Sequence, residues 1–331
     1  MFMKILITGG GGYIGGNLIG ALIGEFPQSE VVVVLHDKKS CFQKNFSPNI
    51  TFLSGDILDT KFISEATKGV DVVYHLAALK GEHLPYDILY RVNVLGTKNI
   101  LDAAIRNGIK RVIFASTIGV LGEVLDGIPL SEEQRYNPFT KYEKTKYEAE
   151  VLALDYMKKY KLALTVLRPT MVYGPDSHEW CFFLKLIRHG LPMIGSGDNY
   201  FHLVHVDDVV QSLVLALKKS NSIGNVYNIA DDKAFKLKDF YCFVYDIFGM
   251  KSCPCVLNEK VAAGIAKVLN IFTRITKNKL VVDDSYIFRL VRNRIVNIAK
   301  AKRELEYAPH FDLQNGLKGS FGKLINEGRG G

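Results

Sequence analysis

Six short apolar runs recur through the first half of the chain, at residues 4–8, 31–35, 50–53, 70–76, 111–116 and 163–168. Each run is almost continuously apolar, which is typical of strands that are buried on both faces. Segments of helix length lie between them, among them 15–25, 93–107 and 142–160. This alternation predicts an α/β fold built on a doubly wound parallel sheet.

The alternation stops after Arg168-Pro169. Beyond it the chain has loops at 174–175 and 195–197, one strand-like stretch at 225–230, and a mainly helical pattern from about residue 231. We expect a first domain over residues 1–170, with a return contribution from about 203–230. Residues 171–202 and 231–331 are expected to form a smaller, mainly helical lobe that covers a cleft.

The composition is that of a globular protein, with 48% hydrophobic and 23% charged residues among 331. The five cysteines are odd in number and mostly far apart, which argues against a secreted disulfide framework. The chain shows no signal-peptide pattern and no apolar run of about 18 residues, so we expect a cytoplasmic protein without a membrane-spanning segment. The scattered histidines and cysteines predict no metal site.

The net charge of +8 attracts polyanions in principle, but the basic residues are spread along the chain and no nucleic-acid motif is present. They are densest over residues 277–303. A solvated helix face is the preferred interpretation of that region, and a peripheral membrane contact or an anionic ligand is the alternative.

A glycine-rich turn, Thr8-Gly9-Gly10-Gly11-Gly12-Tyr13-Ile14-Gly15, follows the first predicted strand and opens the first predicted helix. Glycines let the chain turn sharply and bring backbone N–H groups and a helix N-terminus close to a pyrophosphate. The turn therefore predicts a Rossmann-type dinucleotide site. Its predicted cofactor contacts are Gly9, Gly12, Tyr13, Ile14 and Gly15.

The end of the second predicted strand bears on the choice of dinucleotide. An acidic residue at that place holds the ribose hydroxyls of NAD. Asp37 stands there, whereas His36, Lys38 and Lys39 suit the additional phosphate of NADP. The sequence is compatible with either cofactor, and NAD is slightly preferred.

With these features the chain resembles the extended short-chain dehydrogenase/reductase family, also called the NAD-dependent epimerase/dehydratase family. Besides the glycine turn, the resemblance rests on Gly55-Asp56-Ile57, His75-Leu76-Ala77-Ala78, Asn93-Val94-Leu95-Gly96-Thr97, Ser116-Thr117, Tyr142-Glu143-Lys144-Thr145-Lys146, and Arg168-Pro169 leading to Tyr173-Gly174-Pro175. These motifs stand in the order that the family has. The resemblance is close over roughly the first 175 residues and loose over the rest.

The resemblance implies the parts of the cofactor site that lie beyond the glycine turn. Asp56 and Ile57 would flank the adenine, and Asn93 would support the nicotinamide side. The further implied contacts are Leu76, Ala77, Ala78, Ser116, Tyr142, Lys146 and Pro169. In the family the helices that follow Gly96 and Tyr142 often pair across a two-fold axis, so a homodimer is expected.

Tyr142 and Lys146 are four residues apart, which puts them on one face of a helix. An ammonium beside a phenol favours the phenolate, so Tyr142 can act as general base or acid. The resemblance adds Thr117 as the hydroxyl that binds the substrate oxygen and gives Lys146 a second role on the nicotinamide ribose. Thr117, Tyr142 and Lys146 are the predicted catalytic residues of an enzyme that transfers hydride at a secondary alcohol or ketone.

Two departures from the nucleotide-sugar members of the family bear on the substrate. Met171 stands where those enzymes commonly have Asn, and Phe201 stands where an arginine clamps the diphosphate. Residues 167–170 and 204–209 look more like the 3β-hydroxysteroid dehydrogenase and dihydroflavonol reductase branch. The preferred function is therefore an NAD(P)-dependent dehydrogenase or reductase of an apolar or lipid-linked alcohol. The candidate contacts with this small-molecule substrate are Lys80, Thr117, Met171 and Phe201.

Two other functions stay open. The first is a nucleotide-sugar 4-epimerase or dehydratase in which Lys185, Arg188 or Arg289 replaces the missing arginine. The second is a regulatory protein that binds the nucleotide without chemistry, since a fold alone does not determine function. The intact set of Thr117, Tyr142 and Lys146 argues against this second alternative.

Overall fold

The computed structural model describes residues 2–36, 48–81, 83–124, 127–250, 254–262, 264–265 and 291–329. Its centre is a sheet of seven strands. In chain order these are β1 Lys4–Thr8, β2 Glu30–Leu35, β3 Ile50–Ser54, β4 Val72–His75, β5 Arg111–Ala115, β6 Leu164–Pro169 and β11 Val226–Ile229. The predictions for Asp37, Lys38, Lys39 and Arg289 fall outside the described residues.

The strands lie in the order β11-β6-β5-β4-β1-β2-β3, and all neighbours in this sheet run parallel. The chain order reverses at β1, which lies between β4 and β2. The carboxyl ends of β1 and β4 therefore border the switch point at which open α/β sheets bind their ligands. The predicted doubly wound fold is confirmed, and each of the six apolar runs contributes a strand.

Helices cover both faces of the sheet. The clusters of buried side chains place α1 Tyr13–Glu25, α7 Val206–Lys218 and α9 Ala299–Leu305 on one face, and α2 Thr60–Ala66, α4 Gly96–Arg106 and α5 Lys141–Tyr160 on the other. Successive residues of a strand point to opposite faces, so Ile5 and Ile7 of β1 join the first cluster while Leu6 joins the second. The predicted helix at 93–107 consists of a π-helical turn, Arg91–Leu95, followed by α4. The shorter helical segments are α3 Tyr86–Tyr90, Ile118–Leu121 and Ser220–Ser222.

A further group of helices and short strands packs around a separate aromatic core. Its helices are α6 His178–Arg188, α8 Leu237–Ile247 and α10 Leu313–Arg329. Its short strand pairs are β7 Met171–Tyr173 with β10 Leu203–His205, β9 Tyr200–Phe201 with β12 Phe235–Lys236, and β8 Met193–Ile194 with β13 Val256–Leu257. The ring of Phe240 lies 5.8 Å from that of Phe201 and 6.0 Å from that of Trp180, measured between centroids. We call these elements the lobe.

Residues 292–297 connect the lobe to the loop that follows β5. The Arg294 N–H donates to the Tyr200 carbonyl oxygen on β9, and the Val124 N–H donates to the Asn293 carbonyl oxygen. Among the described residues, no helix has the length and apolar character that a membrane span requires. The division into a dinucleotide domain and a substrate lobe at the boundaries given above stays a prediction.

We expect Phe240→Ala to lower the free energy of unfolding by about 3–5 kcal/mol, because it removes a fully buried ring and leaves a cavity. Phe182→Ala on α6 is the matched control, since that ring is 50% exposed, and we expect a loss below about 1 kcal/mol. Chemical denaturation of the two variants measures both values. Equal losses would show that the aromatic cluster does not stabilise the lobe.

Candidate active site

The turn between β1 and α1 contains glycines that leave no room for a side chain. Gly9 has a φ of +75°, and a Cβ there would lie 2.6 Å from the amide nitrogen of Ala77. A Cβ on Gly15 would collide with the Gly9 carbonyl oxygen, and one on Gly10 would collide with the Val33 side chain. The turn is therefore packed tightly between β2, the loop after β4 and the start of α1.

The N-terminus of α1 is suited to an anion. Gly12 caps the helix without a side-chain hydrogen bond, and the first turn contains no acidic residue. The first N–H groups of a helix have no intrahelical partners and form its positive end. These donors, beside glycines that allow a close approach, fit the pyrophosphate of a dinucleotide.

Tyr13, at the start of α1, connects the glycine turn to the lobe. Its hydroxyl donates to the Pro175 carbonyl oxygen at 3.1 Å. Burial raises the pKa of the Tyr13 phenol, with Asp207 and Asp176 adding to the effect, so the hydroxyl stays protonated as a donor. The predicted contacts of Tyr13 and Ile14 with the cofactor stay predictions.

The loop after β4 faces the glycine turn and is fixed by Asn93. This buried side chain accepts the Leu79 N–H at 2.7 Å and donates to the Leu79 carbonyl oxygen at 3.0 Å. It also donates to the Thr145 hydroxyl at 2.9 Å, next to Lys146 on α5. Asn93 therefore holds this loop to the helix with the predicted catalytic residues, and its place beside the nicotinamide stays a prediction. Leu76 and Ala77 are half-buried on the loop, and Ala78 is exposed.

Asp56 and Ile57 follow β3, at the end of the groove predicted for adenine. The Asp56 carboxylate accepts the Leu58 N–H at 2.9 Å. Ile57 is 8% exposed and packs against Gly96, where a Cβ would lie 2.5 Å from the Ile57 Cδ1 atom. These contacts shape the loop, and the contacts of both residues with adenine stay predictions.

Thr117 lies immediately beyond β5, at the carboxyl edge of the sheet. Its hydroxyl oxygen accepts the Gly119 N–H at 3.2 Å and so caps the short 3-10 helix Ile118–Leu121. This contact holds the side chain at the start of that helix. The oxygen of Thr117 thus lies at the carboxyl edge of the sheet, and its contact with a substrate stays a prediction.

Tyr142 lies in the first turn of α5, and this turn is fixed by a reciprocal cap. The Thr140 hydroxyl accepts the Glu143 N–H at 3.1 Å, and the Glu143 carboxylate accepts the Thr140 N–H at 3.1 Å. This capping box satisfies two of the free donors at the helix start. Tyr142 is therefore held between two residues that bind each other.

Lys146 joins α5 to β5. It is 2% exposed, its Nζ donates to the Ala115 carbonyl oxygen at 2.7 Å, and it lies 4.4 Å from the centroid of the Phe114 ring. Burial lowers the pKa of Lys146 to about 8, while the negative charge of Glu150 opposes that shift. Since Tyr142 precedes Lys146 by one helical turn, the phenol and the ammonium share a face of the helix.

The fully buried Glu150, one turn beyond Lys146, is surrounded by donors. Its carboxylate accepts from the Arg168 Nε at 3.0 Å, from the Tyr136 hydroxyl at 2.8 Å, and from the Ser116 hydroxyl. Arg168 Nη2 completes an ion pair in which both side chains are at most 1% exposed. The Ser116 hydroxyl donates to Glu150, and the predicted contact of Ser116 with the cofactor stays a prediction. Pro169, another predicted cofactor contact, is buried at the end of β6.

A second buried carboxylate, Glu143, directly follows Tyr142. Its Oε2 accepts the N–H groups of Phe139 and Thr140 at 3.1 Å each, and its Oε1 pairs with Arg294 Nη2 at 2.6 Å. Burial opposes ionisation, but Arg294 and these N–H groups outweigh it and lower the pKa of Glu143. This pair is not predicted from the sequence. The spacing of Thr140 and Glu143 signals the cap, whereas nothing local points to Arg294, which is 151 residues away.

The candidate substrate residues lie in different surroundings. The Lys80 ammonium contacts both carboxylate oxygens of Glu179 on α6, at 2.8 and 2.6 Å. Met171 is half-buried against the aromatic core of the lobe. Phe201 is 3% exposed and packs within that core, and its contact with a substrate stays a prediction.

Two of the cations suggested as replacements for the missing arginine lie away from Lys80. Lys185 and Arg188 belong to the last turn of α6, whereas Glu179 belongs to its first turn. The Arg188 guanidinium lies over the Phe248 ring, 5.8 Å from the centroid. These positions do not bring either cation to the loop after β4.

Comparison with known proteins yields consistent matches. A model of the NAD dependent epimerase/dehydratase family matches residues 5–230. The chain is 32% identical over 233 residues to the N-acetyl-alpha-D-glucosaminyl-diphospho-ditrans,octacis-undecaprenol 4-epimerase of Escherichia coli O157:H7, with 69% of this chain and 67% of that protein covered. It is 30% identical over 242 residues to the dTDP-D-glucose 4,6-dehydratase of Mus musculus, with 68% and 67% covered.

A solved structure resembles the whole described chain. The UDP-glucuronic acid 4-epimerase from Bacillus cereus, in complex with NAD, superposes with a TM-score of 0.79 at 25% identity, covering 99% of this chain and 100% of that one. The matches confirm the predicted enzyme class, and they confirm NAD as the cofactor. The assignment of individual cofactor and catalytic residues stays a prediction.

We expect Gly15→Ala to weaken NAD binding by at least about tenfold, because the new Cβ would collide with the Gly9 carbonyl oxygen and displace the turn. Gly20→Ala is the control on the same helix, since a Cβ there meets nothing within 4 Å. Calorimetric titration of the cofactor-free protein with NAD measures both affinities. Unchanged affinity in Gly15→Ala would contradict the placement of the pyrophosphate.

We expect kcat to fall as the pH rises through about 8, because Lys146 holds its proton only below its lowered pKa. Loss of the ammonium removes the charge that favours the Tyr142 phenolate. In Lys146→Arg the charge persists, since a guanidinium has a pKa above about 12, so the alkaline decline should vanish even if kcat is lower. A wild-type profile that stays level from about pH 7 to about pH 10 would rule out this role.

Proposed function

The chain belongs to the NAD dependent epimerase/dehydratase family, and we propose that it is an NAD-dependent 4-epimerase of a sugar carried on a diphosphate. The named relatives act on diphosphate-linked sugars, which favours this alternative over the dehydrogenase of an apolar alcohol. The intact set of Thr117, Tyr142 and Lys146 supports chemistry over regulation. The observation that supports an epimerase is the engagement of both oxygens of Glu143.

Three side chains of the site take part in the proton transfer. Tyr142 takes the proton of the sugar C4 hydroxyl, while Thr117 binds the same oxygen and Lys146 stabilises the phenolate. NAD, held at the glycine turn of residues 9–15, would supply the hydride acceptor and donor that the change at C4 needs. Tyr142 then gives the proton back to the oxygen. The product differs from the substrate only in its configuration at C4, so no other reactant is consumed.

A 4,6-dehydratase would need two further groups. A base has to remove the C5 proton, and an acid has to protonate the hydroxyl that leaves C6. Next to Thr117 the chain has Ile118 and Gly119, which offer neither. The Glu143 side chain reaches Gly119, but its oxygens are taken by Arg294 and two backbone N–H groups, and its pKa is lowered. A carboxylate held in this way is a poor proton donor, which supports epimerisation.

The relatives differ in the group that is attached to the diphosphate of the substrate. The Escherichia coli protein is named for an undecaprenol carrier, and the other two are named for nucleotide sugars. In this chain Phe201 replaces the arginine that is common in nucleotide-sugar enzymes, and it packs in the core of the lobe. This replacement supports the lipid-linked substrate, so a test has to include both kinds of carrier.

We expect the NAD-loaded protein to interconvert C4 epimers of a diphosphate sugar in D2O without taking up deuterium at carbon. The reason is that the hydrogen leaving C4 returns to C4, whereas a dehydratase takes a solvent hydrogen when it eliminates water. The substrates to compare are N-acetyl-α-D-glucosaminyl-diphospho-undecaprenol, UDP-glucuronic acid and dTDP-D-glucose. Proton NMR and mass spectrometry of the products measure both outcomes.

Tyr142→Phe is the control for this experiment. It should bind NAD normally and lose turnover by about 10²- to 10⁴-fold, since it lacks the acid–base group. A product that has lost water and gained deuterium would identify a dehydratase. Absence of turnover on all three sugars, with NAD bound, would refute the proposed function.

A further inference from the structure

Arg294 reaches from the C-terminal part of the chain to the start of α5. Its Nη2 atom donates to the Glu143 Oε1 atom at 2.6 Å, and the two side chains are 13% and 4% exposed. A buried carboxylate that loses its cation is left with an uncompensated charge, so it takes up a proton or moves toward water. The position and the charge of Glu143 therefore depend on Arg294.

The backbone around Arg294 is fixed by the lobe. The Arg294 N–H donates to the Tyr200 carbonyl oxygen, and the Tyr200 N–H donates to the Asn293 side chain at 2.7 Å. Two residues further on, the Val296 N–H donates to Nδ1 of the buried His202 at 3.2 Å. The guanidinium of Arg294 is therefore presented to α5 from a segment that the lobe holds in place.

Glu143 in turn contacts the two turns that contain the predicted acid–base and substrate-binding hydroxyls. Its Oε2 atom accepts the Thr140 N–H and so caps the turn of α5 in which Tyr142 lies. Its Cγ atom lies against Gly119, where a Cβ would be only 2.6 Å away. The Gly119 N–H donates to the Thr117 hydroxyl. One carboxylate side chain thus borders the turns of both Tyr142 and Thr117.

Arg292, two residues before Arg294, has a different partner. Its Nη1 atom lies 2.8 Å from the Glu123 Oε2 atom, and its guanidinium lies over the Phe139 ring, 3.7 Å from the centroid. The charges of Arg292 and Glu143 act on each other, but the ion pair of Arg292 is made with Glu123. Arg292 therefore offers a matched comparison: an arginine of the same segment that pairs with another carboxylate.

We propose that Arg294 is a positioning residue for catalysis: by pairing with Glu143, it holds Tyr142 where the phenol exchanges its proton with the substrate. This inference rests on the proposed function, because a proton exchange requires a substrate hydroxyl. Arg294 acts through Glu143 in this role and not on the substrate itself. Since the lobe holds the backbone of Arg294, the same pair fixes the lobe relative to the helix of Tyr142.

Kinetics of the NAD-loaded protein test this role in Arg294→Met, Glu143→Gln and the double variant. We expect Arg294→Met to lower kcat by about 10- to 100-fold with KM changed less than about twofold, because a displaced acid–base group slows the chemical step. Glu143→Gln should lower kcat similarly. Arg294→Met should have no further effect in the Glu143→Gln background, since Arg294 acts through that carboxylate.

Arg292→Met is the control for these kinetics. It removes a cation of the same size from the same segment and leaves the pair of Arg294 and Glu143 in place. We expect kcat to change by less than about threefold. An equal loss of kcat in Arg292→Met, or a full additional loss when Arg294→Met is added to Glu143→Gln, would overturn the inference.

Titration of the Tyr142 phenol separates this inference from the proposed function, because it needs no substrate. The ultraviolet absorbance of the phenolate is followed in the NAD-loaded protein, and the same titration with Tyr142→Phe added is subtracted. We expect Tyr142 to ionise about one pH unit higher in Arg294→Met, because the phenol moves away from the Lys146 ammonium. Arg292→Met should leave this titration unchanged, and so should Arg294→Met when it is added to Glu143→Gln.

The two measurements fail in different ways. If no sugar is turned over but the titration of Tyr142 shifts as expected, the epimerase assignment fails and the positioning role of Arg294 stands. If Arg294→Met leaves the titration unchanged, the inference is wrong whether or not a sugar is turned over. A shift of equal size in the Glu143→Gln background would also overturn it, because Arg294 would then act on Tyr142 by its charge alone.

Discussion

Helix α5 buries three charges on one face, and the rest of the site is arranged to pair them. Glu143, Lys146 and Glu150 are spaced by three and four residues and are all at most 3% exposed. An unpaired charge in such a place would cost several kcal/mol, so each requires a partner. The partners come from the C-terminal segment, from the end of β5 and from β6, through Arg294, the Ala115 carbonyl oxygen and Arg168. The helix can take its place only when these three parts of the chain have assembled around it.

This arrangement sets the charge of Lys146 as well as its position. Burial favours the neutral amine, while Glu150, one turn further along the helix, favours the ammonium. Replacing a buried ion pair by apolar groups is often neutral for stability, so the Glu150–Arg168 pair is not explained as a source of stability. Its geometry offers a better explanation. By binding Ser116 and Arg168 together, Glu150 ties the ends of β5 and β6 to the helix, and Thr117 is the next residue of the chain.

Local patterns predicted the sheet, because its strands are encoded in short apolar runs. The glycine turn and the spacing of Tyr142 and Lys146 are local patterns as well, and the site that they indicate stays a prediction. What could not be predicted depends on partners distant in sequence. Arg294 reaches Glu143 across 151 residues, and Glu179 reaches Lys80 across 99. The hydrogen bond from Ser116 to Glu150 was not predicted for the same reason, since Glu150 is 34 residues away on another element. Composition and periodicity do not contain such pairings.

Phe201 shows why the chemistry of a family is more readily inferred than its substrate. The predicted catalytic residues lie within residues 117–146, on the sheet edge and α5, whereas Phe201 lies in the lobe. In the lobe, the ring of Phe201 packs against Trp180, Phe235 and Phe240, with centroids 5.8–6.4 Å apart. An arginine at this one position would place a guanidinium among these rings without a partner, which is costly. The identity of residue 201 and the aromatic core are therefore coupled. An arginine at this position would require the lobe to repack around it.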